Sequence, residues 1–537
     1  MRKTFSVVFA MAVLVCGAWG SLAHAQGKTL RWSSQGDIAT HDPQSQNESL
    51  NNGINLHIYE PLFTRDKNMK MVPSLATASK QTSPTVWEVT LRKGVKWHDG
   101  SGFTADDVVF SVVRAQQPTS NFKGYANTLG VPRKIDDFTI EFTTPVPNPV
   151  FMDLLTSGGI LMMSKAWCEK HGVTKPQDFK NKEESYAVRH AMGTGPFILV
   201  SREPDVKTVF KKNPNWWGIK EGMFDGNVTD FVYLPIKAPG TRIAALLSGE
   251  IDFVLDPPIQ DIQKLRKDKA IKVFEGSEYR VIFIGMDQAR DELLYSDVKG
   301  KNPFKDRRVR LALYQAVDVE ALKTTVMRGL SVPTAINLPA AKEAGMPDSM
   351  NKRYPFDLGA AKKLLTEAGY PKGFSVTLDC PNDRYINDER LCVALAAMWA
   401  KIGVIVKVAA IPKANYFPKM QKLDTSFYML GWGGAGAATD AYFTLNPVLH
   451  SRHEKGDGEY NWGNYKVTAL DDFIDRAARE TDTSVRQDLM IKAMQMHHDE
   501  VLHIPLHLQV IPWAARAGID VVHQPNNQLW VRWVKMK

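Results

Sequence analysis

Twice along this chain a β-type run, a helix-type run with a glycine stop and a second β-type run follow one another, and that order confines it to the α/β class. Residues 230–236 alternate as a strand, residues 241–247 carry a helical pattern that stops at Gly249, and residues 251–254 open another strand. The order returns later: a helix over 357–368 stopped at Gly369, a strand over 374–378, a helix over 388–400 ending at Gly403, and a strand over 404–408. Such alternation builds a sheet with helices packed on its faces. A chain of 537 residues exceeds one ordinary core, so two or three globular units are expected. No tandem repeat or low-complexity linker separates them, which favours tight domains joined by short strands.

The N-terminal half adds a strand over 29–32, a short helix over 55–62 closed by Pro61, a strand over 86–91 and a strand over 135–142. Its clearest helix start is Thr104, with Asp107 three residues on as in a capping box and Phe103 placed to staple onto Val108. Asp106 and Asp107 in that first turn have a structural task, since the helix dipole favours acids there. An apolar run at 281–286 reads as a further strand, and residues 307–316 and 320–327 as helices.

The first 25 residues bear on location. Arg2 and Lys3 precede an apolar run from Phe5 to Val15, and Ala23-His24-Ala25 gives a small-residue end. This reads as a secretory signal peptide cleaved after Ala25. Its core is short for a transmembrane helix, and no later apolar stretch is long enough to span a bilayer. Cys16 lies within the apolar core behind bulky Val13, Leu14 and Val15, which argues against lipid anchoring. Of the formal charge of +9, two positives leave with the signal. The remaining lysines and arginines are scattered among acids, so no basic groove for nucleic acid is expected. Cys168, Cys380 and Cys392 remain after cleavage, in a compartment that permits disulfides. Cys380 and Cys392 bracket a short polar segment and are a candidate staple, which leaves Cys168 as a buried thiol.

No arrangement of catalytic groups emerges. There is no Gly-x-Ser-x-Gly elbow. Gly193-Thr194-Gly195-Pro196-Phe197 is a sharp turn without the lysine of a phosphate loop. Residues 497–500 with His503 and His507 lack the His-Glu-x-x-His order, and they read as ordinary helix-end and strand histidines. Adjacent His98 and Asp99 sit on a turn and do not converge as a catalytic pair. No cofactor and no metal is expected, and the chain is not expected to be an enzyme.

The motifs just read also occur together elsewhere. Glu60-Pro61-Leu62, the run from Leu91 through Trp97-His98-Asp99-Gly100 to Val108, Gly193-Thr194-Gly195-Pro196-Phe197, Asn213-Pro214 and the stretch from Arg242 to Asp252 stand in an order that resembles the extracytoplasmic solute-binding proteins of ABC importers, family 5, the dipeptide- and oligopeptide-binding class. The resemblance implies a two-lobed periplasmic-binding-protein fold, type II, cluster C, with an extra subdomain in lobe I. It places lobe I at 26–58, 208–283 and 508–537, the extra subdomain at 59–207 and lobe II at 284–507. It implies a monomeric periplasmic receptor that closes on a peptide or related solute and docks on a membrane permease with cytoplasmic ATPase subunits. Opines, sugars, glutathione-like solutes and metal chelates remain alternatives within the same fold.

The resemblance also nominates site residues. Arg384 stands in the segment of the family's carboxylate-gripping arginine, a task suited to a planar, bidentate donor. Trp432, followed by Gly433 and Gly434, matches the binding loop; the small residues let a ligand approach the backbone or simply make a tight loop. Dipeptide binders carry acids soon after this tryptophan, whereas here the next acid is Asp440, which either supplies the charge or orients a helix. Tyr279 and Arg280, ahead of the crossing strand, are candidates for the cleft lining. So are Ser34, Gln35 and Thr40 on the first loop, which Asp42 is expected to hold.

Overall fold

The computed structural model describes residues 27–156, 160–433, 439–454 and 456–537. The signal-peptide reading and Gly434 lie outside these residues. Among the described residues no helix is long and apolar enough to cross a membrane.

Two long antiparallel strands, Ile271–Met286 and His503–Arg516, form the spine of an 11-stranded sheet. On the Arg516 end of the spine come Phe253–Leu255, Thr29–Ser33, Asp230–Tyr233, Lys207–Lys212 and, at the edge, Phe197–Glu203. On the Met286 end come Phe427–Trp432, Phe374–Pro381 and Val404–Ile411. The two halves are the two lobes, and the spine strands run through both. The edge strand Phe197–Glu203 thus lies in the long sheet although it precedes residue 207.

The spine is continuous because Val281, Ile282, Phe283, Ile284 and Met286 are buried on both faces. Each such side chain contributes about 1.5–3 kcal/mol. The ladder shifts register twice, between Ser277 and Val281 and again between Ile282 and Phe283, and the wider break lies where it crosses between lobes. Ser277 pairs Val510 and the next pair is Val281 with Leu508, so Glu278, Tyr279 and Arg280 bulge opposite Gln509. A bulge re-aims side chains, and here it turns Tyr279 and Arg280 into the space between lobes.

A separate four-stranded antiparallel sheet, ordered Ala76–Ser83, Val86–Leu91, Thr139–Thr143 and Arg133–Asp136, belongs to a core of its own with the helix Ala105–Ala115. Asp107 accepts from the N–H of Thr104 at 3.0 Å and from that of Lys165 at 3.0 Å, so the capping acid also ties down a distant segment. Two local expectations are corrected. The expected strand over 135–142 is a hairpin, because Asp136 accepts from the N–H of Phe138 and turns the chain. The helix expected over 55–62 lies earlier, at Ser49–Asn55, because the Glu48 carboxylate caps it by accepting from the N–H of Asn51 at 2.9 Å.

The short motifs converge on one junction. The buried Glu60 carboxylate accepts from the indole N–H of Trp216 and of Trp217, each at 3.0 Å, and from the Thr194 hydroxyl at 2.8 Å. His98 Nε2 donates to the Gly195 carbonyl at 3.1 Å while its backbone N–H donates to the Gly193 carbonyl. A Cβ on Gly193 would lie 1.8 Å from the Ile58 carbonyl oxygen, so only glycine allows this approach. Glu60→Ala strands two buried donors and the half-buried Trp217 indole, and is expected to cost about 3 kcal/mol, read from the urea midpoint, with solute affinity unchanged.

Cys380 and Cys392 are bonded to each other at a sequence separation of 12. Cys168 is a buried thiol, and burial pushes its pKa up to about 12. Replacing both bonded cysteines by alanine is expected to remove about 3 kcal/mol, as closure of a short loop implies, and thermal melting checks it.

Candidate functional site

A cleft of about 1030 Å³, part of it open to solvent, lies between the lobes. One lobe contributes Glu48, Ser49 and Asn52 from the start of the helix Ser49–Asn55, and Gln524, Asn526, Gln528 and Trp530 from the C-terminal segment. The other contributes Arg384 and Tyr385 from the turn after Phe374–Pro381, Phe417 from the helix Lys413–Gln421, and Leu430 through Gly433 from the end of Phe427–Trp432. Tyr279 and Arg280 enter from the bulge.

The electrostatic centre is a buried triad that bridges the lobes. Arg384 Nε lies 2.9 Å from Glu48 Oε1, and Lys413 Nζ lies 3.5 Å from Glu48 Oε2. Burial would push the Glu48 carboxyl up, but Lys413 and Arg384, with the N–H groups of Asn51 and Leu50, bring it down to about 2. The approach of the first loop depends on Gly36, where a Cβ would stand 3.0 Å from Lys413 Cε and 3.3 Å from the Asp383 carbonyl oxygen.

A second buried pair sits beside it. Arg280 Nε donates to Glu278 Oε1 at 2.7 Å, its Nη2 to the Ser49 hydroxyl at 2.6 Å and its Nη1 to the Gly431 carbonyl at 3.4 Å. Gln509 donates to the other Glu278 oxygen at 2.6 Å. The Tyr385 hydroxyl also reaches the Gly431 carbonyl, at 3.3 Å. A Cβ on Gly431 would meet the Tyr385 ring at 2.6 Å, so glycine is required for this packing. Trp432 donates its indole N–H to the Phe443 carbonyl at 2.8 Å and packs on Tyr460 with ring centroids 4.7 Å apart. Its position is therefore fixed by contacts within the protein.

The nominated residues divide between the cleft and other places. Arg384, Trp432, Gly433, Tyr279 and Arg280 line the cleft. Asp440 is held by Arg486, Nη1 at 2.7 Å and Nη2 at 2.9 Å, accepts from the N–H of Tyr442 and stands outside the cleft lining. Gln35 lines a separate interlobe cavity of about 620 Å³ with Asp256, Arg242 and Asp388. Thr40 is turned inward: its hydroxyl accepts from the N–H of Asp42, and its own N–H donates to Asn51. Asp42 is gripped by Arg114 at 2.6 and 2.9 Å. Ser34 is buried beside that loop and does not line the cleft.

Glu48, Glu278 and Lys413 were not among the nominated residues. Glu278 has a sequence signal, an acid three residues ahead of the apolar strand run at 281–286, which implies a buried partner. Glu48 has a weaker one, an acid three residues before Asn51 at a helix start.

Among the described residues no group of three or more His, Cys, Asp or Glu side chains is placed to hold a metal. His497 Nε2 and His503 Nδ1 lie 2.8 Å apart and hydrogen-bond to each other, and burial lowers both pKa values.

The family model for bacterial extracellular solute-binding proteins, family 5, middle region, matches residues 70–455. A dipeptide-binding protein of Escherichia coli K12 is 29% identical over 519 residues, covering 89% of each chain. A glutathione-binding protein of Shigella dysenteriae is 26% identical over 477 residues, covering 88% of this chain and 87% of that one. The crystal structure of a binding protein from A. tumefaciens R10 in complex with mannopinic acid superposes with a TM-score of 0.82 at 23% identity, covering 95% of this chain and 100% of that one.

Proposed function

The chain belongs to the family 5 bacterial extracellular solute-binding proteins, and from that membership we propose that it is an exported periplasmic receptor that captures a peptide or related carboxylate-bearing solute and delivers it to an ABC import permease. The family binds solutes rather than transforming them. The observation that carries the ligand class is Arg384, a buried guanidinium that lines the interlobe cleft and bridges to Glu48 through Nε. A planar fork of this kind suits a carboxylate.

The wall around it is aromatic, with Trp432, Tyr460, Phe417 and Trp530 offering apolar faces to side chains of varied shape. A dipeptide, glutathione and mannopinic acid, the solutes that name the relatives above, are all carboxylic acids. Solute contacts to both lobes favour the closed arrangement over the open one, and the difference in affinity between the two sets the shift. The closed shape is what the permease reads.

Denaturing the purified protein and identifying the released solute by mass spectrometry tests this reading. A peptide or another carboxylated small molecule is the expected finding. An uncharged sugar as the retained solute overturns the carboxylate assignment.

A further inference from the structure

Cations outnumber acids on the described lining of the cleft. Arg280 is answered by Glu278 at 2.7 Å and Arg65 by Asp153 at 2.7 Å. Arg384 and Lys413 share one acid, Glu48. Three further carboxyls stand near Arg384 but outside the cleft lining: Asp256 lies in the neighbouring cavity with Arg242 and accepts from Asn527 at 2.9 Å, Asp388 accepts from the N–H of Arg384 at 2.9 Å, and Asp383 accepts from the N–H of Lys413 at 2.6 Å. On the described lining itself Arg65, Arg280 and Arg384 stand with a single acid, Glu48, so the cleft surface presents guanidinium groups. A solute carboxylate suits such a surface.

The opposite end of a free peptide finds no such partner. Among the described residues lining the cleft, Glu48 is the sole acid; it is ion-paired with Arg384 and Lys413 and accepts from the N–H of Asn51 through Oε2. Asp440 is held bidentately by Arg486 away from the lining. The residues directly after Gly433 are Gly-Ala-Gly-Ala-Ala, and those directly after Thr156 are Ser-Gly-Gly, so neither stretch brings a carboxylate by its chemistry. An ammonium group here would face the lining arginines, and the one acid on the described lining is already paired with two cations.

We propose, resting on the carboxylate-receptor reading above, that the cleft selects solutes with a free carboxylate and a blocked amine: N-acylated amino acids, N-acylated short peptides or amine-conjugated relatives of them. The acyl group lies against the aromatic wall of Trp432 and Tyr460, and the carboxylate faces Arg384.

The test uses a dipeptide library in three matched forms: free, N-acetylated and C-terminally amidated. Each is dialysed against solute-stripped full-length protein, and retention is quantified by mass spectrometry. The expected result is retention of the acetylated form at least as strong as that of the free form, with the amidated form about 100-fold weaker, as loss of a charge-assisted bidentate contact implies. Preferential retention of the free form over the acetylated one overturns the inference and leaves the carboxylate reading intact. Retention of none of the three, or of the amidated form as strongly as the others, overturns the carboxylate reading and the inference with it.

Discussion

Arg384→Ala is expected to weaken capture of a carboxylated solute by about two orders of magnitude or more. Truncating one partner of a buried, hydrogen-bonded charge pair costs about 2–5 kcal/mol, and each 1.4 kcal/mol is about tenfold in affinity. The substitution also removes the cation that lies 2.9 Å from Glu48, so part of the loss is reorganisation of the empty cleft. Arg384→Lys keeps the charge without the planar fork and is expected to fall between the two. Calorimetric titration with the solute recovered from the wild type measures all three proteins. Equal affinities for wild type and Arg384→Ala would remove Arg384 from the site.

The second large effect falls on stability. Glu48→Gln leaves Arg384 and Lys413 buried with no acid between them, and breaking a buried ion cluster in this way costs about 3–5 kcal/mol at neutral pH. The effect has a defined acid signature. The folded-state pKa of Glu48 is depressed to about 2 from an ordinary value of 4.5. An acid with a depressed folded pKa stabilises the fold fully above its unfolded pKa, and that contribution is lost as pH falls through the folded one. The wild type is therefore expected to lose about 3 kcal/mol between roughly pH 5 and pH 2 from this group alone. The Gln variant lacks this component, so the gap between the two proteins narrows as pH falls. Urea unfolding at a series of pH values reads it; a gap that stays constant to pH 2 would mean Glu48 is not ionised in the cluster. Because Glu48 and Arg384 stand on different lobes, the same variant also loses an interlobe tie.

What the sequence reveals here follows the range of the interactions. The helices after Thr104 and Asp357 are legible because caps and apolar faces are local. The helix Ser49–Asn55 is misplaced in sequence because its cap is a glutamate whose main partners, Arg384 and Lys413, lie more than 300 residues away. Resemblance brings Arg384, Trp432 and Tyr279 forward because the motifs around them are contiguous. It does not bring out Lys413, whose partner Glu48 is remote in sequence, or Glu278, which meets Arg280 and Gln509 at the bulge over 278–280. Thr40 looks like a cleft residue in sequence, yet Asn51 and Asp42 satisfy its polar groups inside the fold. The histidines at 497 and 503 read in sequence as ordinary helix-end and strand residues, and in the fold His497 Nε2 and His503 Nδ1 hydrogen-bond to each other.

Closure of the two lobes on a carboxylated solute is the central claim, and small-angle X-ray scattering on the full chain tests it most directly. The protein is stripped of solute by unfolding and refolding, and the recovered solute is then added back. The account predicts a saturable decrease in radius of gyration whose midpoint matches the calorimetric affinity, with the solute recovered unchanged. Binding with no change in the radius, or chemical conversion of the solute, would contradict it.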